Sequence, residues 1–458
     1  MTTIITTNPA TEQTLERYDM LTDFEVAKAV EDCHNAFLKW KLETPEARSK
    51  IIGQIGEELK KHKSKLARLM TQEMGKLLSQ SEDEVDLCAG ICQWTAENGP
   101  SELTSEAREI DGETRGIIAY SPIGVIYGIQ PWNYPSYQVV RYSIANLMAG
   151  NGVLLKHAEI VTGTGKLLED IYLAAGLPQG LFQSIVISHD QSEAVIGNDR
   201  VRGVTLTGSS AAGRIVAQQS AKALKKTVLE LGSNDAFIVL EDADIDQAVE
   251  VCVLGRTYNN GETCIAAKRF VVVDSIYDAF KDKFVKAMSA LKTGDPTQGD
   301  ADMGPMARKD LRDDLHMQVQ QSIAKGATCL TGGKIPEGLG FFYPATVLEN
   351  VLPGQPAYDD ELFGPVAALI KAKDANDAMR IANDSRFGLG GGILTTDTEK
   401  AVELASQHFE TGMVFINRFG LAVPNMPFGG VKDSGYGREH GGFGLKEFVN
   451  TKSIVIQK

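Results

Sequence analysis

The stretch from Val153 to Ile187, VLLKHAEIVTGTGKLLEDIYLAAGLPQGLFQSIVI, alternates between the apolar pattern of a strand and that of a helix. Residues 153–156 predict a strand, residues 161–175 a helix, and residues 185–187 a second strand. The glycines and the proline of residues 176–180 are typical of a helix end. Strand, helix and strand at this spacing predict a parallel sheet covered by helices.

The same alternation continues on both sides of this stretch. Further strands are predicted at 117–120, 125–129, 204–207, 228–230, 237–240, 270–273 and 414–417. Helices are predicted at 26–40, 52–70, 85–92, 211–223, 245–256, 276–291, 375–383 and 399–408. The whole pattern predicts an α/β fold with a doubly wound parallel sheet and a second α/β unit, joined by a seam near residues 230–242.

Composition narrows the class of protein. The chain has 458 residues, of which 43% are hydrophobic and 23% charged, so we expect two to three domains and a sizeable core. Its formal charge of −14 disfavours nucleic acid and anionic membrane surfaces as partners, and any anionic ligand must be held by local cations.

The six cysteines form no CxxC pair and lack the histidine spacing of a zinc site, so we expect reduced thiols and no metal. The first residues carry no signal-peptide pattern, and no apolar run approaches the roughly 18 residues of a membrane span. We therefore expect a cytoplasmic protein.

One cysteine has a setting that suits catalysis. Residues 259–269 read Asn-Asn-Gly-Glu-Thr-Cys-Ile-Ala-Ala-Lys-Arg and place Cys264 between a glycine turn and a β-rich run. A nucleophilic thiol needs partial access and nearby N–H groups or cations that lower its pKa. A free cysteine is more often a small buried hydrophobe, so this interpretation depends on other residues of the chain.

Two further residues could complete such a site. Asn133, in the Pro-Trp-Asn-Tyr-Pro turn of residues 131–135, is either a helix cap or an amide donor to a developing oxyanion. Glu230 ends an apolar strand and is either a surface charge or a general base with a raised pKa. A thiolate, an amide donor and a base together suit the oxidation of an aldehyde by hydride transfer to a nicotinamide.

The segment from Thr207 to Gly213 joins a strand to a helix with small residues. Such a turn lets a phosphate approach the helix N-terminus, where free N–H groups favour an anion. It lacks the full dinucleotide fingerprint, so a plain turn is an equal alternative.

Taken in order, these motifs resemble those of the aldehyde dehydrogenase superfamily over nearly the whole chain, and most of all those of short bacterial succinate-semialdehyde dehydrogenases. The motifs that carry the resemblance are Pro131–Pro135, Lys156, Leu206–Ser209, Leu229–Gly232, Gly261–Cys264, Glu361–Pro365 and Pro427–Gly430. The resemblance implies that Cys264 is the nucleophile, Asn133 the oxyanion donor and Glu230 the base.

The resemblance also implies a dinucleotide site. Its expected members are Ile129, Trp132, Lys156, Ala158, Glu159, Thr207, Gly208, Ser209, Leu231, Gly232, Glu361 and Phe363. Lys156 and Glu159 would hold the adenosine ribose, Gly208 and Ser209 the pyrophosphate, and Glu361 the nicotinamide ribose. A carboxylate beside the 2′-hydroxyl repels a 2′-phosphate, so Glu159 favours NAD, with NADP as the alternative.

For the substrate, the resemblance singles out Arg141, with Tyr137 and Phe428 as neighbours. Arginine at this position in semialdehyde enzymes pairs with the substrate carboxylate, whereas the alternative is an arginine on a solvated helix face. The expected reaction is oxidation of succinate semialdehyde to succinate with NAD(P)+, through a cysteine thioester and glutamate-assisted hydrolysis.

Three other functions stay open. The substrate could be another short aldehyde, such as lactaldehyde or an aminoaldehyde. A CoA-acylating enzyme would not need a base, so Glu230 argues against it. A scaffold without catalysis is disfavoured by the presence of Cys264, Asn133 and Glu230 together.

Domain boundaries follow from the resemblance. Residues 1–103 and 123–232 would form the NAD(P)-binding domain, residues 233–440 the catalytic domain, and residues 104–122 with 441–458 a small oligomerisation sheet. The expected assembly is a homodimer or a homotetramer.

Some positions depart from the family pattern. Glu262 stands where the family has glutamine, and a carboxylate near the thiol opposes thiolate formation. Either Glu262 points to water, or Cys264 titrates higher than in its relatives. Ser233 replaces a common glycine and is expected to tighten the nicotinamide pocket. Tyr258 stands where semialdehyde enzymes often carry a second arginine, and Arg256 is offset from that position.

Overall fold

The computed structural model describes residues 3–457; residues 1, 2 and 458, which the predicted domains include, lie outside the described residues. The fold is α/β. The strands are β1 (Thr3–Thr7), β2 (Thr14–Asp19), β3 (Glu106–Glu109), β4 (Thr114–Pro122), β5 (Val125–Gln130), β6 (Gly152–His157), β7 (Phe182–Ser184), β8 (Val201–Thr207), β9 (Lys226–Glu230), β10 (Ala236–Val239), β11 (Arg269–Val273), β12 (Thr328–Thr331), β13 (Thr346–Glu349), β14 (Val366–Ala372), β15 (Gly391–Leu394), β16 (Phe415–Ile416), β17 (Gly435–Tyr436) and β18 (Val449–Gln457).

The helices surround these strands. They are α1 (Asp23–Trp40), α2 (Pro45–Lys61), α3 (Lys63–Met74), α4 (Leu78–Glu102), α5 (Tyr137–Ala149), α6 (Thr162–Ala174), α7 (His189–Gly197), α8 (Ser210–Lys222), α9 (Ile245–Thr257), α10 (Tyr277–Ala290), α11 (Lys309–Ala324), α12 (Pro356–Asp359), α13 (Ala375–Asn383), α14 (Thr398–Gln407) and α15 (Phe443–Glu447). Within residues 3–457, no helix combines the length and the apolar character needed to span a bilayer.

A six-stranded sheet has the order β17-β9-β8-β5-β6-β7. Its strands run parallel except for β17 at the edge, which pairs antiparallel with β9. All six residues of β6 are buried, as expected for a central strand covered on both faces. Residues of α2 to α6 pack in one apolar cluster against β6 and β7, and residues of α1, α7 and α8 pack in another against β5, β6 and β8. This confirms the predicted doubly wound parallel sheet.

Because the strands are parallel, their carboxyl ends meet at one edge of the sheet. That edge holds Ile129 of β5, Lys156 of β6, Thr207 of β8 and Glu230 of β9. Strand geometry therefore brings four predicted site residues, separated by up to about a hundred positions in sequence, to one side of the molecule.

A second, seven-stranded sheet has the order β12-β13-β14-β11-β10-β15-β16 and is parallel except for β12. Its core strands β10, β11 and β15 are buried at every position. The chain leaves the first sheet after Glu230 and enters the second at Ala236, inside the predicted seam. The cysteine loop lies between α9 and β11 of this second unit.

A three-stranded antiparallel sheet joins distant parts of the chain. Strand β18 pairs with β4 from Val449↔Pro122 to Gln457↔Thr114, and β4 pairs with β3. Residues 104–122 and 441–458, predicted to form one small sheet, thus contribute strands to the same sheet. Their role in oligomerisation, and the domain boundaries as a whole, stay predictions.

Several predicted elements differ from the structure. The strand predicted at 185–187 is wrong: β7 ends at Ser184, and Ile185 and Ile187 are apolar because they are buried in the α1/α7 cluster. The stripe predicted at 52–70 is two helices, interrupted at His62. Sequence patterns also missed the β1–β2 hairpin, α7, α11 and the strands β12 to β15.

Candidate active site

A cleft of about 240 Å³ lies between the two large sheets. Its lining residues are Pro131, Trp132, Asn133, Thr207, Gly208, Ser209, Leu231, Gly232, Cys264, Leu311, Glu361 and Phe363. The fold thus brings together the predicted nucleophile, the predicted amide donor and most of the predicted cofactor residues. Among the predicted catalytic and cofactor residues, Ile129, Lys156, Ala158, Glu159 and Glu230 do not line this cleft, and neither do the predicted substrate residues Arg141, Tyr137 and Phe428.

The cysteine loop has an unusual backbone that its residue types explain. Asn259 and Asn260 have φ values of 55° and 57°, a left-handed conformation that asparagine tolerates better than most residues. Gly261 follows with φ 74°, and a Cβ there would lie 2.5 Å from the carbonyl carbon of Gly364. The turn before Cys264 therefore requires the Asn-Asn-Gly sequence.

The buried ammonium of Lys268 stabilises the same loop by hydrogen bonds to its backbone. Lys268 Nζ donates to the carbonyl oxygens of Cys264 at 2.6 Å, Thr263 at 3.3 Å and Ala266 at 3.5 Å. It also forms an ion pair with Glu361 Oε1 at 3.3 Å. The loop is thereby tied to Glu361, which also lines the cleft.

Cys264 is partly exposed, as a nucleophile requires. Loss of solvation raises the pKa of its thiol to about 12, against the lowering effect of the nearby Arg141 and Lys268 cations and with the added effect of Glu361 and Glu230. The thiol is thus protonated at neutral pH in this state. A nearby positive charge on a bound ligand would favour the thiolate.

Asn133 lies against the cysteine loop. Its Nδ2 donates to the backbone carbonyl of Glu262 at 3.1 Å, and its own carbonyl accepts from Asn259 Nδ2 at 3.0 Å. Because Asn133 and Cys264 line one cleft, the second N–H of the Asn133 amide is placed to serve an oxygen bound near the sulfur. Asn133 caps no helix by its side chain, so the alternative interpretation as a helix cap is wrong.

Glu230 is buried at the end of β9 and is not a surface charge, so that alternative is wrong. Neither carboxyl oxygen has a hydrogen-bond partner among residues 3–457. Burial raises the pKa of Glu230 well above its ordinary value; the Glu439 carboxylate adds to the rise, and Arg141 opposes it. An unpartnered buried carboxyl of this kind, once ionised, can accept a proton from a water molecule near Cys264, whose thiol the Glu230 charge influences.

The cleft has the features of a dinucleotide site. Ser209 caps α8 by accepting from the Ala212 N–H, which leaves other first-turn N–H groups for an anion. Gly208 leaves open space, since a Cβ there would meet nothing closer than 3.8 Å. A Cβ at Gly232, in contrast, would lie 2.5 Å from Glu361 Oε2, so the backbone and this carboxylate approach closely only with glycine.

The residues predicted to hold the adenosine ribose lie outside the cleft lining. Lys156 is buried at the end of β6, and its ammonium forms no hydrogen bond or ion pair within residues 3–457. Burial lowers the pKa of Lys156, while the charge of Glu159 raises it. Ala158 packs with Trp132 in one small apolar cluster, which connects these residues to the cleft. An available cation and a carboxylate suit a ribose and its phosphate.

Glu262 does not point to water, so the first of the two expectations for it is wrong. Its side chain is fully buried, and Oε1 accepts from the Ala307 N–H at 3.0 Å. Burial raises the pKa of Glu262 well above its ordinary value, which favours the neutral form of the carboxyl. The charges acting on the Cys264 thiol come from other residues.

The other departures also have structural roles. Ser233 donates from Oγ to Asp235 and from its N–H to Glu361 Oε1, and it is absent from the cleft lining. Arg256 is fully buried and donates to the Gly261 carbonyl at 2.6 Å, so it supports the cysteine loop. Tyr258 packs against Phe419.

The three predicted substrate residues form one cluster, in which Arg141 is buried and not on a solvated face. Arg141 forms an ion pair with Glu439 and donates to Thr207 Oγ1 at 2.8 Å. Its guanidinium carbon lies 4.7 Å from the Phe428 ring centroid and 5.2 Å from that of Tyr137. Burial would lower the pKa of Arg141, but the Glu439 carboxylate overcomes this and raises it.

Sequence reasoning missed three residues of the site. Lys268 was part of the quoted stretch, yet a lysine after a cysteine loop carries no signal of where its ammonium lies. Glu439 and His440 follow a glycine-rich run, and His440 Nε2 lies 3.0 Å from the Tyr137 hydroxyl. Charged residues within a run of glycines were the signal that could have identified them. No group of three metal-binding side chains occurs within residues 3–457.

Comparison with known proteins shows the family and agrees with the fold. The model of the aldehyde dehydrogenase family matches residues 1–454. The chain is 42% identical over 450 residues to the NAD(P)+ succinate semialdehyde dehydrogenase Sad of Escherichia coli (strain K12), covering 98% of this chain and 97% of that protein. It is 40% identical to the NADP+ succinate-semialdehyde dehydrogenase of Deinococcus radiodurans, covering 98% and 94%.

Among solved structures, succinic semialdehyde dehydrogenase from Streptococcus pyogenes in complex with NADP+ superposes with a TM-score of 0.97 at 38% identity. The match covers 99% of this chain and 100% of that one. The predicted α/β fold class is thereby confirmed at the level of the whole chain.

Proposed function

The chain belongs to the aldehyde dehydrogenase family, and from that membership we propose that it oxidises succinate semialdehyde to succinate with NAD(P)+. The observation that carries the proposal is the shared cleft of Cys264 and Asn133, with Glu230 unpartnered at the neighbouring strand end. The similarity to enzymes named for this substrate supports the choice of aldehyde.

In the proposed reaction, the Cys264 sulfur, as thiolate, bonds to the aldehyde carbon, and the resulting oxyanion accepts a hydrogen bond from the Asn133 amide. A nicotinamide held by the residues of the cleft would supply the hydride acceptor, and loss of the hydride from that carbon would leave a thioester on Cys264. Glu230 then takes a proton from a water molecule whose oxygen attacks the thioester carbon. Cleavage of the C–S bond releases succinate and regenerates the thiol.

Two features of the site support these roles. The ammonium of Lys268 holds three carbonyl groups of the cysteine loop, so the sulfur is presented by a rigid backbone. Glu230 lies in an environment that keeps its pKa high, which suits a base that works near neutral pH.

For the cofactor we propose NAD, with NADP as the alternative. Glu159 lies beside Lys156 at the end of β6, where a carboxylate disfavours a 2′-phosphate. Lys156 would in turn favour that phosphate, and the enzymes of Deinococcus radiodurans and Streptococcus pyogenes are named with NADP+. The balance between these two side chains decides the preference.

We also propose a cytoplasmic homodimer or homotetramer. All six cysteines are free, in keeping with a reducing compartment. Strand β18 exposes Ile454 and Val455, whose exposed fractions are 39% and 62%, and such apolar side chains suit an interface between subunits. Gel filtration with light scattering measures the assembly directly.

The deciding experiment is an aldehyde panel assayed with both nicotinamides. We expect the highest kcat/KM for succinate semialdehyde, and a clear margin over butanal, lactaldehyde and an aminoaldehyde. A higher kcat/KM with lactaldehyde or the aminoaldehyde would show that this other aldehyde is the preferred substrate. The Cys264→Ala variant should lose oxidation and still bind the nicotinamide in a fluorescence titration; turnover by this variant would contradict the role of Cys264.

A further inference from the structure

A second cavity, of about 320 Å³, borders the apolar cluster that includes Cys264. It is lined by residues 412–415, 421–423 and 426–428 together with Arg418. Cys264 packs in one apolar cluster with Phe428, Met413 and Phe415, all of which line this cavity. Cys264 itself lines the cofactor cleft, so members of this one cluster line both cavities. On that ground the aldehyde chain is placed in the second cavity.

The chemistry of the cavity is simple. Its side chains are apolar except for one, the exposed Arg418. The Arg418 guanidinium forms no hydrogen bond or ion pair within residues 3–457. An apolar channel with a single available cation is complementary to a short carbon chain that ends in a carboxylate.

The position of Arg418 is defined by its neighbours. Asn417, with φ 54°, donates its N–H to the Ile393 carbonyl and accepts from the Thr395 N–H at 2.9 Å. Arg418 therefore follows a backbone that is anchored to β15. Gly420 lies next to both side chains. A Cβ built on Gly420 would lie 3.5 Å from Arg418 Nε and 2.8 Å from the Phe415 ring, so these two groups are neighbours. The guanidinium thus lies beside a ring that packs in the Cys264 cluster.

Arg141, the arginine expected to hold the substrate, already has an anion. Its ion pair with Glu439 is buried, and Arg141 does not line the second cavity. A substrate carboxylate at Arg141 would have to enter a buried position next to the Glu439 carboxylate, which costs both desolvation and repulsion. Arg418 carries neither penalty.

We propose that Arg418 binds the distal carboxylate of the substrate and so sets a preference for aldehydes that carry a carboxylate over unsubstituted ones. The inference rests on the proposed function and names the residue that gives it its specificity. It also accounts for selection of an anionic substrate by a chain whose formal charge is −14, since a local cation is needed against that field.

The test compares the full-length wild type with Arg418→Gln, Arg418→Lys and the control Arg68→Gln. Arg68 is exposed on α3, and it forms no hydrogen bond or ion pair within residues 3–457, so both glutamine variants change the net charge equally. The measured quantity is the ratio of kcat/KM for succinate semialdehyde to kcat/KM for butanal. A second measurement, competitive inhibition by succinate relative to butyrate, reports binding without turnover.

We expect Arg418→Gln to lower the kcat/KM ratio about tenfold and to weaken inhibition by succinate, because one exposed charge-assisted hydrogen bond to the carboxylate is lost. Arg418→Lys should keep most of the preference, and Arg68→Gln all of it. An unchanged ratio in Arg418→Gln, with a clear preference in the wild type, would overturn the role of Arg418. No preference in the wild type would instead contradict the proposed function itself.

Discussion

The ammonium of Lys268 donates to the backbone carbonyl of Cys264 at 2.6 Å. This contact holds the backbone of the proposed nucleophile, and the same ammonium pairs with Glu361, another residue of the cleft lining. A fully desolvated cation is thus shared between the loop that carries the sulfur and a residue proposed to bind the nicotinamide ribose. It both orders the loop and lowers the pKa of the thiol.

Replacing Lys268 should therefore affect the thiol directly. In Lys268→Met we expect the pKa of Cys264 to rise, because one of the two cations that lower it is lost, and kcat/KM to fall about tenfold or more. The pH dependence of iodoacetamide alkylation measures the thiol. Lys283→Met, which removes an exposed lysine paired with Asp246, is the matched control. An alkylation profile identical to that of the wild type would contradict this role.

Glu230→Gln should separate the two halves of the reaction. Hydrolysis needs the ionised carboxylate, so in the wild type its rate should rise with pH through the raised pKa of Glu230. The glutamine variant should lose about a hundredfold or more in steady-state rate, lose this pH dependence, and keep a burst of NAD(P)H from the first turnover. Stopped-flow absorbance measures both. Loss of the burst in the same proportion would mean that Glu230 acts before the thioester forms.

The ion pair between Arg141 and Glu439 should be a large determinant of stability. Arg141→Met leaves a buried, unpaired carboxylate, so we expect the free energy of unfolding to fall by about 3–5 kcal/mol. The double variant Arg141→Met with Glu439→Gln should recover much of that loss, since no charge is left unpaired. Urea unfolding measures each. Equal losses in the single and double variants would show that packing, not charge, explains the effect.

Glu262→Gln should stabilise the protein increasingly as pH rises. The pKa of Glu262 is raised in the folded state, so below its ordinary value of 4.5 both states hold the proton and nothing is lost. Above that pH the unfolded chain ionises while the folded carboxyl stays neutral, and stability decreases. The advantage of the glutamine variant should therefore grow as the pH rises above 4.5 in urea unfolding. Glu57→Gln, at an exposed position, should show no such trend.

The same variant bears on the thiol. Because Glu262 is not among the charges that shift the pKa of Cys264, alkylation in Glu262→Gln should follow the wild-type pH profile. A shift toward lower pH would show that Glu262 ionises close to the sulfur.

Much of the fold could be predicted because its signals are local. Strand and helix periods placed β6, α6, α9, β11 and α13 to within a few residues. The error at 185–187 has the opposite origin: the apolar character of Ile185 and Ile187 records burial under α1 and α7, which periodicity alone cannot distinguish from a strand.

The candidate site also had features that local sequence could predict and features that it could not. The order of motifs along the chain was enough to select Cys264, Asn133 and most residues of the cleft, because turns at the ends of parallel strands converge on one edge of a sheet. The order of motifs could not predict which side chains pair in space. Arg141 forms an ion pair with Glu439, almost three hundred positions away in sequence. Glu262, which the sequence left as either exposed or buried, is buried, and the Lys268 side chain donates to the backbone of its own loop.

The sequence by itself determined which segments become strands and helices and which reactive side chains stand at their ends, since both depend on neighbours a few residues apart. Only the tertiary structure decided which charges are paired, which are buried and which stay available, with Arg418 in the last group. The physical reason is that solvation and Coulomb energy depend on distance in space, and the chain brings its distant parts together only when it folds.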